Sequence, residues 1–452
     1  MFARKIAVVG AGGYVGLVTA ACFAEMGNNV IGVESDVDKV NKLNRGIPTI
    51  QENGLEPMLK KAIGDKTISF MSTMDVLFDA EMIFIAVGTP MDVDGRANLS
   101  FLEQAAKEIG QNITKNGVII VVKSTVPVGT AKKVRTIIEK EVALSNMVGF
   151  KFSVVSNPEF LAEGRAIKDA MEPARVIVGT DDPIAMKAMY LLYKPFCRKN
   201  EQSRFLEMTN EAAEASKYAA NFMLTLKISG MNAFANLCDS WGVDVESVRE
   251  AVGSDPRIGP EFLYSGLGYG GSCFGKDVQS LICQARDGNL PAEVIAMLEA
   301  PEKLNAFQQK LMAEKVMCLF GRDLTGKTFA VWGLAFKAGT DDIRASSSIA
   351  LIETLLDHGA KVVAFDALAM EATRAHFADA PMLKYSLDMY SALEGAHALI
   401  VTNEDRSFRS PDFSRVKELL LTPSIFDGRN LYDLVEMRER GIRYVGIGRG
   451  EQ

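Results

Sequence analysis

The sequence predicts an α/β protein with two doubly wound parallel-sheet domains, joined by a helical central domain with a long helix. Three observations carry this. Short β-branched apolar runs alternate with helical segments through the first 200 residues, a proline-free helical stretch runs from Thr209 to about Ser240, and a second strand–helix alternation begins near Thr325. Strands spaced by helices imply βαβ units, and a parallel sheet covered on both faces needs such continuous apolar runs.

The first set of strands is expected at Lys5–Val9, Val30–Glu34, Thr67–Met71, Met82–Val87, Val118–Val122, Phe152–Ser156 and Val176–Val178. The stretch after Thr209 reads as one helix of around thirty residues, or ~45 Å at 1.5 Å per residue. Thr209 or Asn210 can cap its start, and Glu211 and Glu214 suit the positive end of its dipole. More helix is expected at about Val245–Val252 and Lys276–Asp287. The second alternation gives a strand at Lys327–Trp332, a turn at Gly333-Leu334 and a helix at Ser346–His358. Further strands follow at Lys361–Phe365, Ala398–Thr402 and Ser424–Phe426. The expected domains are 1–205, 206–305 and 306–452.

Composition narrows the partners. The 452 residues are 48% hydrophobic and 24% charged, with a net charge of −7. That acidic balance argues against nucleic acid or an anionic membrane as the main partner. Arg4-Lys5 followed by Ile6–Val9 resembles the start of an export signal, but Gly10, Gly12, Gly13 and Gly16 interrupt the apolar run. A first strand and turn is the better reading, with no membrane span. Six scattered cysteines do not form a disulfide framework, which suggests a reducing cytoplasm. No CxxC and no Cys/His cluster is present, so no metal site is expected. Asp92-Val93-Asp94-Gly95 faintly resembles a calcium loop but lacks the remaining ligands, and reads as a turn.

Gly10-Ala11-Gly12-Gly13-Tyr14-Val15-Gly16 follows a strand and opens a helix. Such glycines allow a tight turn, close approach of a pyrophosphate and helix–strand contact, while the helix N-terminus favours the phosphate charge. Glu34 ends the next strand roughly 20 residues on, where a ribose-binding carboxylate belongs. It should bond the 2′-hydroxyl and repel a 2′-phosphate, so NAD is expected over NADP. The turn has one residue more than GxGxxG allows, and packing alone is the competing reading.

Cys273 lies in Gly268-Tyr269-Gly270-Gly271-Ser272-Cys273-Phe274-Gly275-Lys276-Asp277. A nearby ammonium favours a thiolate, the thiolate is the nucleophile, and an aspartate can orient a water or carry a proton. This residue pattern suits covalent catalysis. An inert cysteine is the ordinary alternative. The three histidines, His358, His376 and His397, all fall in the second α/β region. Acid–base work is therefore assigned to Lys, Asp, Glu and water.

Several segments together resemble the UDP-glucose/GDP-mannose dehydrogenase family, in its UDP-glucose branch. They are Gly13–Leu17, Val87-Gly88-Thr89-Pro90, Lys123–Thr130, Asn157–Gly164, the cysteine loop and Trp332–Lys337. The resemblance covers nearly the whole chain. Proline is usual in the family where Gly275 and Ala338 stand here, and the family's glycine turn is usually one residue shorter. The resemblance implies two Rossmann-like domains and a four-electron oxidation of UDP-glucose to UDP-glucuronate with two NAD reduced, a step that feeds polysaccharide biosynthesis. Cys273 would hold the aldehyde as a thiohemiacetal and then a thioester. Lys217 and Asn221, at i and i+4 on the long helix, match the pair that binds the oxyanion. Asp277 matches the residue that orients a catalytic water. Glu159 matches the base for thioester hydrolysis, and Thr125 is expected beside the nicotinamide.

The same resemblance extends to binding. Gly10, Gly12, Gly13, Tyr14, Val15, Gly16, Glu34, Thr89, Pro90, Ser124, Thr125, Glu163, Lys276 and Arg344 are expected at NAD. Phe160, Leu161, Glu163, Lys217, Asn221, Gly270, Phe336, Lys337 and Arg429 are expected at the sugar nucleotide. Arg257-Ile258-Gly259 matches an arginine that reaches a neighbouring subunit's site, which implies at least a homodimer. Fixing its own loop is the alternative for Arg344, as for Asp341 and Asp342. The rival readings are a GDP-mannose or UDP-N-acetylhexosamine dehydrogenase, a plain two-electron dehydrogenase, or a nucleotide-sugar-binding regulator without catalysis.

Overall fold

A computed structural model of the chain describes residues 3–145, 147, 149–198, 203–378 and 380–450. Eight strands form the first sheet: β1 (Lys5–Val9), β2 (Asn29–Val33), β3 (Ile68–Met71), β4 (Met82–Ile85), β5 (Val118–Val122), β6 (Phe152–Ser156), β7 (Arg175–Gly179) and β8 (Arg204–Met208). Their order is β3-β2-β1-β4-β5-β6-β7-β8. Strand order reverses beside β1, the place where doubly wound sheets bind nucleotides. The strands β1, β4 and β5 are apolar on both faces because each face carries its own core. Val8, Phe84 and Val121 belong to one, and Ala7, Ile83, Ile85 and Ile120 to the other.

One departure from the expected parallel sheet occurs. β6 and β7 meet through a single antiparallel pair, Ser156 with Gly179, and β8 then runs parallel to β7. A parallel return needs a crossover that carries the chain back along the sheet. The only helix between β6 and β7 is the six-residue Ala166–Met171, about 9 Å long, so the chain re-enters from the other end.

The second sheet has six parallel strands: β9 (Thr328–Trp332), β10 (Lys361–Phe365), β11 (Leu383–Tyr385), β12 (Ala398–Val401), β13 (Ser424–Asp427) and β14 (Arg443–Val445), ordered β11-β10-β9-β12-β13-β14. Its two faces are again separate cores, one with Phe329, Val331 and Ile400, the other with Ala330, Trp332 and Leu399. β8, β11 and β14 were not expected from the sequence; all three flank or close a sheet edge.

The chain divides into two compact units. One holds the residues up to Ala220 together with Gln279–Gln284, and the other holds Asn221–Val278 and Ala285 onward. The long helix spans Asn210–Trp241. Thr209 caps it, its Oγ1 accepting from the Ala212 N–H at 3.2 Å, whereas Asn210 Oδ1 instead accepts from Ser156 N at the end of β6, 2.9 Å away. Glu214 departs from its expected role at the helix dipole. Its carboxylate accepts from Gly129 N at 2.7 Å and Ala131 N at 2.8 Å, so it caps the helix Thr130–Leu144 instead.

Candidate active site

The glycine turn follows β1 at the carboxyl end of the first sheet. Gly10 has φ +85°, a conformation that favours glycine. A Cβ on Gly16 would lie 2.1 Å from the Gly10 carbonyl oxygen, and one on Gly12 would lie 2.4 Å from Glu34 Oε2. The same Glu34 oxygen accepts from the Gly12 N–H at 3.0 Å. Gly13 begins the helix Tyr14–Glu25 with ordinary extended φ, and its nearest obstacle would be 3.5 Å away. Of the glycines at 12, 13 and 16, Gly13 is thus the one where an added Cβ meets the least obstruction. Gly16→Ala should lower stability by about 1–3 kcal/mol, the usual cost of overpacking. Gly13→Ala should stay within about 0.5 kcal/mol. Thermal unfolding of the two variants checks the contrast, and equal losses would refute it.

The opening of this helix is anchored from the side. Tyr14 donates to Glu52, and the Gly164 N–H, next to Glu163, donates to Tyr14 Oη at 2.9 Å and to Glu52 Oε2 at 2.8 Å. Burial and the Glu52 carboxylate push the Tyr14 hydroxyl well above its usual range, so it is a fixed donor at any ordinary pH. Glu52 was not singled out from the sequence, because a lone glutamate between helices carries no spacing signal.

Beyond β4 and β5 the chain forms two loops that hold each other. Thr89 Oγ1 donates to the Thr125 carbonyl at 2.9 Å, and Ser124 Oγ to the Val87 carbonyl at 2.6 Å. Pro90 is exposed beside them. Thr125 and Lys217 line one small pocket with Ser124, Pro158 and Glu214. Behind it, Lys217 Nζ lies 2.9 Å from Glu159 Oε1, and Glu159 Oε2 accepts from the Leu161 N–H at 2.5 Å. Both side chains of the pair are under 9% exposed. Burial pushes the Glu159 carboxyl up, but the charge of Lys217, the Leu161 N–H and Lys123 outweigh it and hold it below its ordinary value. Phe160 presents its ring to Lys217 Nζ at 5.3 Å and to the Arg175 guanidinium at 3.9 Å.

In the other unit, Cys273 closes a glycine loop and is exposed. Its carbonyl accepts from the Asp277 N–H at 2.9 Å, which places the residue at the N-terminus of the helix Phe274–Asp287. That end of a helix favours negative charge. Asp277 is buried; its Oδ2 accepts from Asn221 Nδ2 at 2.6 Å and its Oδ1 pairs with Lys276 Nζ at 2.5 Å. The loop cannot carry side chains at its centre. A Cβ on Gly270 would meet the Ala345 carbonyl oxygen at 2.4 Å, and one on Gly271 would meet the Phe336 ring at 2.9 Å. The Gly271 N–H donates to the Arg344 carbonyl at 2.8 Å.

A helix not expected from the sequence, Ala292–Phe320, supports the loop. Glu302 accepts from Tyr269 Oη at 2.5 Å, Asn305 exchanges two bonds with the Tyr269 backbone, and Gln308 donates to the Gly266 carbonyl at 2.7 Å. Their spacing of three is one helical face. Pro301 breaks the local pattern and hid the helix, although proline costs it only one hydrogen bond and a carbonyl clash.

At the carboxyl ends of β9, β12 and β13, Arg429 donates to the Thr402 carbonyl and the Phe336 carbonyl, each at 3.0 Å, and lies 3.5 Å from Glu404. This places Phe336, Lys337 and Arg429 together at the end of the second sheet where ligands bind. Gly333 makes the turn after β9 with φ +97°. Here, however, the buried Asp366 at the end of β10 accepts from the Leu334 and Ala335 N–H groups at 2.7 and 3.3 Å, so its own carboxylate occupies the turn's donors. Arg344 pairs with Asp342 and Arg257 with Asp255, and the Arg257 side chain is 87% exposed. His358, His376 and His397 bond within the second sheet's own surroundings. Asp92–Arg96 is a turn closed by Asp92 N to the Arg96 carbonyl at 2.8 Å. Among the described residues no cluster suits a metal ion, and no helix is long and apolar enough to cross a membrane.

Comparison with known proteins covers all these parts. Residues 4–197 match the NAD binding domain of the UDP-glucose/GDP-mannose dehydrogenase family, 211–306 its central domain and 330–434 its UDP binding domain. A UDP-glucose 6-dehydrogenase of Pseudomonas aeruginosa is 46% identical over 98% of this chain and 97% of its own. The structure of a UDP-glucose dehydrogenase from Pyrobaculum islandicum superposes with a TM-score of 0.89 at 34% identity, covering 99% of this chain and 98% of that one. A UDP-D-ManNAc dehydrogenase from Pyrococcus horikoshii gives 0.84 at 25% identity over 99% and 100%. NAD is therefore the cofactor, and the glycine turn, with the Glu34 carboxylate against Gly12, has the chemistry such a group needs. Three matched domains in order, with relatives alike from end to end, make this chain a member of the UDP-glucose/GDP-mannose dehydrogenase family.

Proposed function

We propose that this chain oxidises UDP-glucose to UDP-glucuronate, consuming two NAD and one water and releasing two NADH. The observation that carries the reading is Cys273: an exposed thiol at a helix N-terminus, one turn before an aspartate that is bonded to Asn221. A two-electron alcohol dehydrogenase has no use for such a thiol, and neither has a binding protein. The names of the relatives favour UDP-glucose over other sugar nucleotides.

NAD supplies the hydride acceptor in both oxidations; the chain's residues do the rest. The glycine turn takes the pyrophosphate, with Glu34 on the ribose and Thr89, Pro90, Ser124 and Thr125 toward the nicotinamide. As the C6 alcohol loses a hydride, its proton leaves to water. The Cys273 thiolate then adds to the aldehyde carbon, and the resulting oxyanion is held by Lys217 and Asn221. Asp277 fixes the Asn221 carboxamide by accepting from its Nδ2. Loss of the second hydride leaves a thioester. Glu159 takes a proton from the water that attacks it, and Cys273 departs as thiolate. Phe336, Lys337 and Arg429 hold the nucleotide, and Arg257 serves the neighbouring subunit of a dimer.

The test is the amount of NADH formed per UDP-glucose consumed, with GDP-mannose and UDP-N-acetylmannosamine assayed in parallel. Two NADH per UDP-glucose and little from the others is expected. One NADH would mean an aldehyde product and an idle cysteine. None from UDP-glucose but two from a rival would move the substrate while keeping the chemistry.

A further inference from the structure

Lys123 follows β5 directly, and the mechanism above gives it nothing to do. It is 7% exposed. Its hydrogen-bond partners are neutral: Asn157 Oδ1 at 3.3 Å and Tyr193 Oη at 3.4 Å. These are themselves tied down, since Tyr193 donates to the same Asn157 oxygen at 2.6 Å and Asn157 Nδ2 donates to the Ile177 carbonyl at 2.8 Å. A desolvated ammonium with neutral partners is costly unless a charge nearby compensates it.

The compensating charge lies across a cavity of about 170 Å³ that Lys123 shares with Glu159. The other titratable groups lining it are Cys22, Arg165, Asp169, Arg175 and Tyr193. Asp169 is engaged with Arg165 at 3.0 Å and with the Ala162 N–H at 2.9 Å, and Arg175 lies over the Phe160 ring. Glu159 is thus the carboxylate that answers Lys123, while its Oε1 is already 2.9 Å from Lys217. The cations whose charge reaches Glu159 are the two ammonium groups of Lys217 and Lys123, so this group of three carries a surplus positive charge, and Arg175 adds a further cation on the cavity wall. A Glu159–Lys217 pair alone would be neutral, and a neutral pair is a poor partner for an oxyanion.

We propose that Lys123 is a positioning residue for the reaction: a buried second ammonium beside Glu159 whose charge keeps the Glu159–Lys217 pair net positive toward an oxyanion while Glu159 stays an ionised base. The proposal rests on the roles given above to Glu159 and Lys217. Burial draws the Lys123 ammonium down to about 8, with the Glu159 charge opposing that fall and Lys217 adding to it. It therefore remains charged through neutral pH. Because its charged form is the disfavoured one in the fold, stability should rise with pH above that value, as the folded chain sheds this proton before the unfolded chain does.

The experiment compares Lys123→Met, Lys123→Gln, Lys123→Arg, Glu159→Gln and the double variant Lys123→Met/Glu159→Gln, by steady-state kinetics with UDP-glucose and NAD across the pH range. Lys123→Met should lower kcat roughly 10–100-fold with KM for UDP-glucose within about threefold, and should move the acid limb of the profile up by about one pH unit. Lys123→Gln, polar and uncharged, should do the same and carries the test if the methionine variant does not fold. Lys123→Arg should return the limb to its wild-type position. In the Glu159→Gln background, Lys123→Met should cost less than about a further twofold. An unshifted acid limb, or losses that multiply independently in the double variant, would overturn the proposal. Full activity in Glu159→Gln alone would overturn the base assignment beneath it, and is read separately.

Discussion

Cys273→Ser should reduce steady-state NADH production at least about a thousandfold, which is about 4 kcal/mol of barrier. A serine in this loop keeps the volume and the backbone. The loss would be chemical: at neutral pH the hydroxyl is not ionised, adds slowly to an aldehyde, and is expelled slowly from an ester. UDP-glucose binding, followed by calorimetry, should stay within about threefold, because the residues proposed to hold the nucleotide, Phe336, Lys337 and Arg429, lie elsewhere in sequence, and Arg429 keeps its bonds to the Thr402 and Phe336 carbonyls. Cys318, the other exposed cysteine among the described residues, supplies the control. Cys318→Ser should leave turnover unchanged, and UDP-glucose should protect Cys273 but not Cys318 from alkylation. A Cys273→Ser enzyme with normal turnover would sink the covalent route.

The glycine turns, the paired acid at the end of β2 and the cysteine loop were legible because each is a local requirement written in adjacent residues. Gly16 must be glycine where the Gly10 carbonyl sits 2.1 Å from its missing Cβ, and such a demand shows in a short window. The central strands were legible for a similar reason: β1, β5, β6 and β10 are apolar runs bounded by turns, and their limits agree with the sequence reading residue for residue. The edges were not. β11 and β14 are three residues each, too short to show a period, and exist because a neighbouring strand offers its free edge.

What the sequence hid in the candidate site was long-range. Glu214 reads as a helix N-terminal acid, yet it spans 85 residues to cap another helix at Gly129. Glu302, Asn305 and Gln308 hold the cysteine loop from a helix that Pro301 disguises. Lys123 opens the segment Lys123–Thr130, but its burial against Asn157 and Tyr193 shows only in the fold. Each pairing depends on which strands become neighbours, and nothing within a window of the chain reports that.

Lys217→Met should separate the catalytic from the structural part of the buried ion pair. Without its ammonium an oxyanion loses one donor, and kcat should fall by about 10²–10³. Breaking the pair also leaves Glu159 buried without its closest cation, a loss of about 3–5 kcal/mol at neutral pH. The pH dependence gives the sign. In the wild-type fold Glu159 is held below the ordinary 4.5, so the unfolded chain binds more protons there. Its contribution is present above that value and is lost as pH falls through the lowered one. In Lys217→Met the largest opposing influence is gone and burial prevails, so Glu159 moves above the ordinary value. The folded variant then binds the extra proton, and its stability should fall as pH rises from the ordinary value toward neutrality. The gap in melting temperature between wild type and variant should therefore widen from acid to neutral pH. Parallel curves would mean that Glu159 does not depend on Lys217. Adding Glu159→Gln removes the stranded carboxylate but leaves the Lys123 ammonium uncompensated, so it should return part of the stability with none of the activity. Recovery of both would show that Lys217 serves the fold alone.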